Sequence, residues 1–134
     1  MNTKPGNQNP INEMIVSKFY LFETTQAQIR TFLNNKAQAE LKGGIYLWVN
    51  KNNGHFYVGS TLNFYNRISG YFTLNSVTGI ILNALNKYGF ESFTLVLFII
   101  PNISREEELL LEQSVLDNFS PEYNIQPFCQ FLGI

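Results

Sequence analysis

Apolar side chains recur along this chain with two different periods, and the change from one to the other marks out its elements. Val77, Ile80, Ile81, Ala84, Leu85 and Tyr88 return at helical spacing, and Gly89 follows as a stop, which predicts a helix over 77–88. Between Thr25 and Lys42, Ile29, Phe32, Leu33, Ala37 and Leu41 share one helical face, and Gly43-Gly44 ends the pattern. Asn63 is a natural N-cap for a third helix reaching Phe72, with Phe64, Ile68, Tyr71 and Phe72 as its stripe and Arg67 beside it. Ser104 followed by Glu107 is the pattern of a capping box, and Glu106, Glu107 and Glu108 sit where a helix dipole favours acids. The stripe of this last helix reads Leu109, Glu112, Leu116, Phe119, which places one carboxylate among apolar neighbours. Ser120-Pro121 breaks the helix, and Glu122–Ile125 reads as a short extended segment.

The period of two appears in the middle of the chain. Ile45, Leu47 and Val49 alternate with Tyr46 and Trp48, and Phe56 and Val58 alternate with His55, Tyr57 and Gly59. Lys51-Asn52-Asn53-Gly54 between them carries the Asn-Gly hairpin signal. Pairing Asn50 with His55 puts Tyr46 opposite Gly59 and Trp48 opposite Tyr57, both tyrosines on one face. Gly59 then leaves room over the strand for a Tyr ring or a phosphate. Phe93–Ile100 is almost wholly apolar and predicts a central strand buried on both faces, ended by Pro101. Met14–Phe22 fits a short strand or a helical turn, and residues 1–12, with two Pro, one Gly and four Asn, predict a loosely attached start. The expected architecture is α+β: a small three-stranded antiparallel sheet flanked by helices. We divide the chain into an N-terminal extension (1–42), a central domain (43–126) and a short tail (127–134).

Composition narrows the function. At 134 residues there is room for one modest core, and no apolar run approaches the ~18 residues of a membrane span. The single Cys129 excludes an intramolecular disulfide and any multi-cysteine zinc site. Charged residues are 14% of the chain, with a formal net charge of −1, which argues against a strongly basic nucleic-acid binder. The balance is uneven: residues 1–43 hold five basic and three acidic groups, whereas 44–126 hold four basic and seven acidic groups. Asn, Ile, Phe, Tyr and Lys, whose codons are AT-rich, are abundant. This suits a strongly AT-biased genome, such as that of an organelle or a phage. The first ten residues hold no apolar signal core and no Arg-rich transit pattern, so secretion is not expected. The expected location is the mitochondrion, organelle-encoded without a presequence, or otherwise intracellular.

Five residues could do chemistry: Tyr46, Tyr57, Arg67, Glu112 and Asn124. Taken singly, a strand Tyr is ordinarily a packing residue, a helix Arg a solvated one, and an Asn after Pro-Glu-Tyr a turn residue. His55 belongs at an exposed hairpin edge, and the Glu106–Glu108 triplet is explained by the helix dipole. Glu112 differs, because a carboxylate on an apolar seam needs a partner or a metal, unless its head snorkels to water. Together the set suits phosphodiester hydrolysis. One carboxylate with water and phosphate oxygens suffices for Mg²⁺. An Arg fork can stabilise the pentavalent transition state, and a phenol can orient or deprotonate a water if nearby cations lower its pKa.

Gly44-Ile45-Tyr46 with Tyr57-Val58-Gly59 resembles the signature of the GIY-YIG endonucleases, Val58 standing for the name-giving Ile. Further blocks look similar to the same family, most of all to its intron-encoded homing branch. They are Ser60-Thr61-Leu62-Asn63 leading to Arg67, Asn86-Lys87-Tyr88-Gly89 before Glu91-Ser92-Phe93, Leu111-Glu112-Gln113, and Ser120–Ile125. The resemblance covers about residues 43–126. It implies a DNA endonuclease using Mg²⁺ or Mn²⁺ on double-stranded DNA. In it Tyr46 would orient or deprotonate water, Tyr57 would shape the site, Arg67 would bind the scissile phosphate, Glu112 would be the metal ligand and Asn124 would hold the geometry. Gly59, Ser60, Asn63 and Tyr71 would line the substrate, Tyr71 standing where some members have His. Homing enzymes usually carry a DNA-binding region after the catalytic domain, and Pro127–Ile134 has no charge. Affinity would then come from residues 1–42, self-association or a separate DNA-binding partner. The alternative is a truncated or decayed member that keeps the fold and does not cut.

Overall fold

The computed structural model describes residues 18–23, 25–34, 42–73 and 79–124. The start predicted as loose (1–12), positions 35–41 of the predicted 25–42 helix, the first positions of the 77–88 pattern, and the 127–134 tail with Cys129 lie outside the described residues. Lys42, the expected end of the 25–42 helix, is described and is not helical.

The hairpin forms in the register that the alternation demands. Strand β2 (Gly44–Asn50) pairs antiparallel with β3 (Phe56–Thr61), Tyr46 opposite Gly59 and Trp48 opposite Tyr57. The Asn50 N–H donates to the His55 carbonyl at 2.8 Å, and Gly54 N–H returns to the Asn50 carbonyl at 2.8 Å, closing the Lys51–Gly54 loop. The Asn50 and Asn53 side chains accept from Asn52 and His55 N–H, at 2.9 Å each, so asparagines build the turn from within.

The sheet has four strands where three were expected. Lys18–Phe22 is strand β1, so the described part of the Met14–Phe22 run is a strand; residues 14–17 lie outside the described residues. Its partner is β4 (Phe93–Ile99), which lies between β1 and β2, giving the antiparallel order β1-β4-β2-β3. The helices are α1 (Thr25–Asn34), α2 (Phe64–Thr73), α3 (Ile80–Tyr88) and α4 (Arg105–Phe119).

One sheet face carries Tyr46, Trp48, Phe93, Leu95 and Leu97, and forms the core with Ile29 and Leu33 of α1, Phe64, Ile68 and Tyr71 of α2, and Ile81, Ala84 and Leu85 of α3. Within the described residues these follow the stripes read from the periodicity, except that Tyr88 is exposed and Ile80 is only half-buried; Ala37, Leu41 and Val77 lie outside the described residues. Gly89, at φ 87°, ends α3 in a conformation that L side chains disfavour.

The opposite face is covered differently. Ile45, Leu47, Val58 and Phe98 face Leu111, Val115 and Phe119 of α4 across an apolar cavity of about 370 Å³. On β4 only the first face is fully buried; Thr94, Val96 and Phe98 on the second are half-buried, so the strand is not buried on both sides.

The stripe expected for α4 holds only in part. Glu112 and Leu116 are half-buried as expected, but Leu109 is exposed and Phe119 is 67% exposed, while Glu108 is buried and Leu111 and Val115 line the cavity. Three consecutive leucines (109–111) and the Val115-Leu116 pair give the helix apolar residues on several sides, so spacing alone cannot choose between them. The helix start is as expected: Ser104 Oγ accepts Glu107 N–H at 3.1 Å and Glu107 Oε1 accepts Ser104 N–H at 2.9 Å. Ser120 caps the other end at φ 48°. Glu122–Asn124, expected to be extended, is a single 3-10 turn.

Replacing Ser104 with Ala removes half of the capping box and should cost about 1 kcal/mol. Urea denaturation would show this as a lower midpoint with an unchanged slope.

Candidate functional site

Cross-strand partners share a face, so the register sorts the candidate residues. Tyr46, Tyr57 and Gly59 lie on the α1–α3 side; Ser60, opposite Ile45, lies on the α4 side. The expected groups therefore do not come from a single sheet face. They meet at the outer end of β3, an edge strand, reached from both faces.

The meeting begins with Gly59. A Cβ there would lie 2.4 Å from Cζ of Tyr46 and 2.5 Å from its oxygen, so the phenol occupies the space that glycine leaves. The Tyr46 hydroxyl is 3.0 Å from that of Tyr71, and Arg67 Nη1 donates to the Tyr46 oxygen at 3.4 Å. Arg67 Nη1 also donates to the Ser60 carbonyl at 3.5 Å. Ser60 Oγ in turn donates to Glu112 Oε1 at 2.6 Å. A continuous polar chain thus runs Tyr71–Tyr46–Arg67–Ser60–Glu112, from the core of one sheet face to the helix on the other. Tyr57 stands beside it, its ring 6.2 Å from that of Tyr46.

Asn124 acts from the strand edge. Its Oδ1 accepts Val58 N–H at 2.8 Å and its Nδ2 donates to the Val58 carbonyl at 2.9 Å, so one amide replaces a missing strand partner. Glu122 Oε1 accepts Phe56 N–H at 3.2 Å one step along. Tyr123, between them, accepts from Asn50 Nδ2 at 3.1 Å. The closing Pro-Glu-Tyr-Asn segment therefore locks the register of β3 and so the placement of Ser60 and Gly59.

The remaining expected residues are placed as follows. Asn63 caps α2, its Oδ1 accepting Asn66 N–H at 3.1 Å. Tyr71, expected to line the substrate, is 1% exposed, as is Tyr46, and its hydroxyl meets that of Tyr46 within the core. His55 is exposed, with its ring 6.0 Å from that of Tyr123. Glu108 departs from the dipole explanation given to its triplet: it is 2% exposed and its partner is Arg105, at 3.4 Å. It lies four residues before Glu112, on the same helix face, and that spacing was the signal available in the sequence.

Burial governs the ionisation of two phenols. Tyr57 is pushed up by burial first, then by the Tyr46 and Glu112 charges, and Arg67 only partly offsets this. Tyr71 is pushed well up, again by burial first and then by the phenols of Tyr46 and Tyr57. For these two phenols desolvation outweighs the lowering by the Arg67 guanidinium, so the condition that a nearby cation lower the phenol's pKa is not met by Arg67 alone. For Arg67, burial pulls downward, but its bond to Tyr46 and the surrounding phenols prevail, and its pKa is raised.

Among the described residues no three His, Cys, Asp or Glu cluster as a metal site. Glu112 is half-buried, and its described hydrogen bond is made through one oxygen, Oε1. A hard cation that keeps most of its waters fits such a single carboxylate. A zinc-type closed shell does not.

Residues 42–124 match the family model described as the GIY-YIG catalytic domain. UvrABC system protein C of Mycoplasma capricolum is 36% identical over 96 residues, covering 69% of this chain and 15% of that protein. The probable intron-encoded endonuclease bI1 of Neurospora crassa is 30% identical over 125 residues, covering 88% of this chain and 28% of that protein. The chain therefore spans under a third of the length of either relative. The magnesium-bound GIY-YIG N-terminal endonuclease domain of UvrC from Thermotoga maritima superposes with a TM-score of 0.46 at 21% identity, covering 75% of this chain and 100% of that one.

Two outcomes check this geometry. Gly59→Ala forces the Tyr46 ring aside, and overpacking of this kind costs about 1–3 kcal/mol; chemical denaturation measures it. The raised phenols set the alkaline limit. Protonated Tyr57 and Tyr71 are favoured by the fold, so their contribution is complete below the ordinary tyrosine value of 10.0 and is lost as pH climbs above it. Absorbance at the tyrosinate band should show these two ionising only together with unfolding, and Tyr71→Phe should flatten the fall in stability above that pH.

Proposed function

The chain belongs to the GIY-YIG catalytic-domain family, and on that premise we propose that it is a metal-dependent DNA endonuclease that hydrolyses phosphodiester bonds. The observation that carries the proposal is the polar chain from Tyr46 through Arg67 and Ser60 to Glu112, which joins a phenol, a guanidinium and a carboxylate at the outer end of the edge strand β3.

Each residue has a part in that reaction. Arg67, always charged and half-buried, binds the scissile phosphate and offsets the charge that grows on it in the pentavalent transition state. The Tyr46 oxygen orients the attacking water; as phenolate it receives the proton that the water loses when the new P–O bond forms. Tyr71 supports Tyr46 from the core side, and its raised pKa keeps it a hydrogen-bond donor. Tyr57, also kept protonated, lines the opening as a donor to phosphate or water. Glu112 holds a divalent cation, Mg²⁺ or Mn²⁺ in its place, and Ser60 Oγ fixes the carboxylate. When bound, that ion polarises the phosphate and stabilises the leaving oxygen. Asn124 is a positioning residue that acts through β3.

A second reading, a domain that keeps the fold and has lost cleavage, draws support from the excess of acids over bases in 44–126. Supercoiled plasmid at low salt separates the two. The parent protein should nick it only with Mg²⁺ or Mn²⁺ present. Arg67→Ala and Glu112→Ala should each lower the rate about 100-fold or more while the circular dichroism stays native. A folded parent that never nicks would favour the second reading. Nicking unchanged by Glu112→Ala would remove the metal assignment.

Few bases are available for phosphates, so activity should be weak and fall steeply between 50 and 200 mM salt. A salt-independent rate would contradict phosphate-driven binding.

A further inference from the structure

Four basic residues lie within 44–126, and three are accounted for: Arg67 in the site, Lys51 donating to the Glu23 and Glu91 carbonyls, and Lys87 over the Tyr88 ring. The fourth is Arg105. It opens α4, its side chain is 74% exposed, and its Nη1 lies 3.4 Å from Oε1 of Glu108. A pocket of about 330 Å³ joins it to the catalytic neighbourhood, lined by Thr61, Asn63, Asn66, Arg67, Arg105 and Glu108. Arg67 forms one wall of this pocket and Arg105 another.

From this we infer that Arg105 is a second DNA-backbone contact, taking a phosphate next to the one held by Arg67, with the buried Glu108 as its positioning residue. The inference rests on the endonuclease reading and adds where the strand runs: from the Tyr46–Glu112 edge of β3 across the start of α2 to the start of α4. The physical case is the pairing itself. Glu108 is buried, and its carboxylate holds Nη1 of the Arg105 fork at 3.4 Å. Arg105 has five donors and uses one on Glu108 among the described bonds, so the exposed rest of its fork can meet phosphate oxygens. Tethering a long side chain before the ligand arrives lowers the ordering cost of binding. The two arginines outweigh Glu108, so the pocket is net positive on a domain surface that is otherwise acidic.

The test is duplex binding without cleavage, by fluorescence anisotropy on labelled DNA in the absence of divalent metal, with affinity followed across salt concentration. Arg105→Ala alone strands Glu108 as a buried charge and threatens folding. The informative variant is therefore Arg105→Gln with Glu108→Gln, which removes one charge of each sign and leaves net charge unchanged. Each phosphate contact contributes about 0.9 to the slope of log affinity against log salt. The double variant should lose about that much slope and weaken equally on two unrelated sequences, as a backbone contact does. Lys87→Ala, which lowers net charge by one at a residue away from the pocket, should leave the slope unchanged. A double variant with the parent's slope overturns the inference while leaving the endonuclease reading intact. Slope loss in Lys87→Ala as large as in the double variant also overturns it, because net charge would then explain both. A folded parent that binds no duplex at any salt overturns the endonuclease reading and this inference together.

Discussion

The arrangement depends on the contact between the Tyr46 ring and the bare backbone of Gly59. Two adjacent antiparallel strands normally hold their side chains apart over the pleat. Here one side chain is missing, and the neighbouring ring lies in its place, where a Cβ would be 2.4 Å from Cζ. That overlap brings the phenol oxygen within reach of Tyr71 and Arg67, two groups on the helix that follows. The hairpin register puts Tyr46 across from Gly59, and that register is held at one end by asparagine side chains in the turn and along the outer edge by Asn124.

The second constraint is the use of an edge strand. A central strand has neighbours on both sides, and groups from opposite faces of the sheet cannot meet across it. At β3 they can. Arg67 reaches the Ser60 carbonyl from the α2 side, and Glu112 reaches the Ser60 hydroxyl from the α4 side. An open edge invites pairing with another chain. Here the Glu122–Asn124 turn caps the backbone of Phe56 and Val58 with side chains. One short segment thereby both blunts the edge and fixes the strand that carries Gly59 and Ser60.

The surrounding core explains why phenols rather than carboxylates populate the inner part of the site. Tyr71 and Tyr46 are almost fully buried among Trp48, Phe64 and Ile68, where an ionised acid would be costly. Tyr71, which burial keeps protonated, can stay there as a donor to Tyr46. The one carboxylate, Glu112, sits on the half-exposed helix side, where water and a cation can reach it. Glu108, one turn earlier, is buried too, but it is paired with Arg105.

Much of this was legible in the residues themselves. Alternation and Asn-Gly set the hairpin and its register, because side-chain period and turn chemistry are local properties. The stripes of α2 and α3 and the capping box of α4 were equally local. The motif blocks named Tyr46, Tyr57, Arg67, Glu112 and Asn124 together. The phase of α4 was not legible, since Leu109–Leu111 and Val115-Leu116 offer several apolar faces and only the sheet beneath selects one. Nor was the fourth strand, because Lys18–Phe22 has no turn to a neighbour and finds β4 some seventy residues later in the chain. The direction of the tyrosine shifts, the convergence across the edge of β3, and the burial of Glu108 all depend on what packs against each group from distant parts of the chain. Sequence determines which groups are present and which local element carries each one. Only tertiary packing decides how deeply each is desolvated and which of them touch.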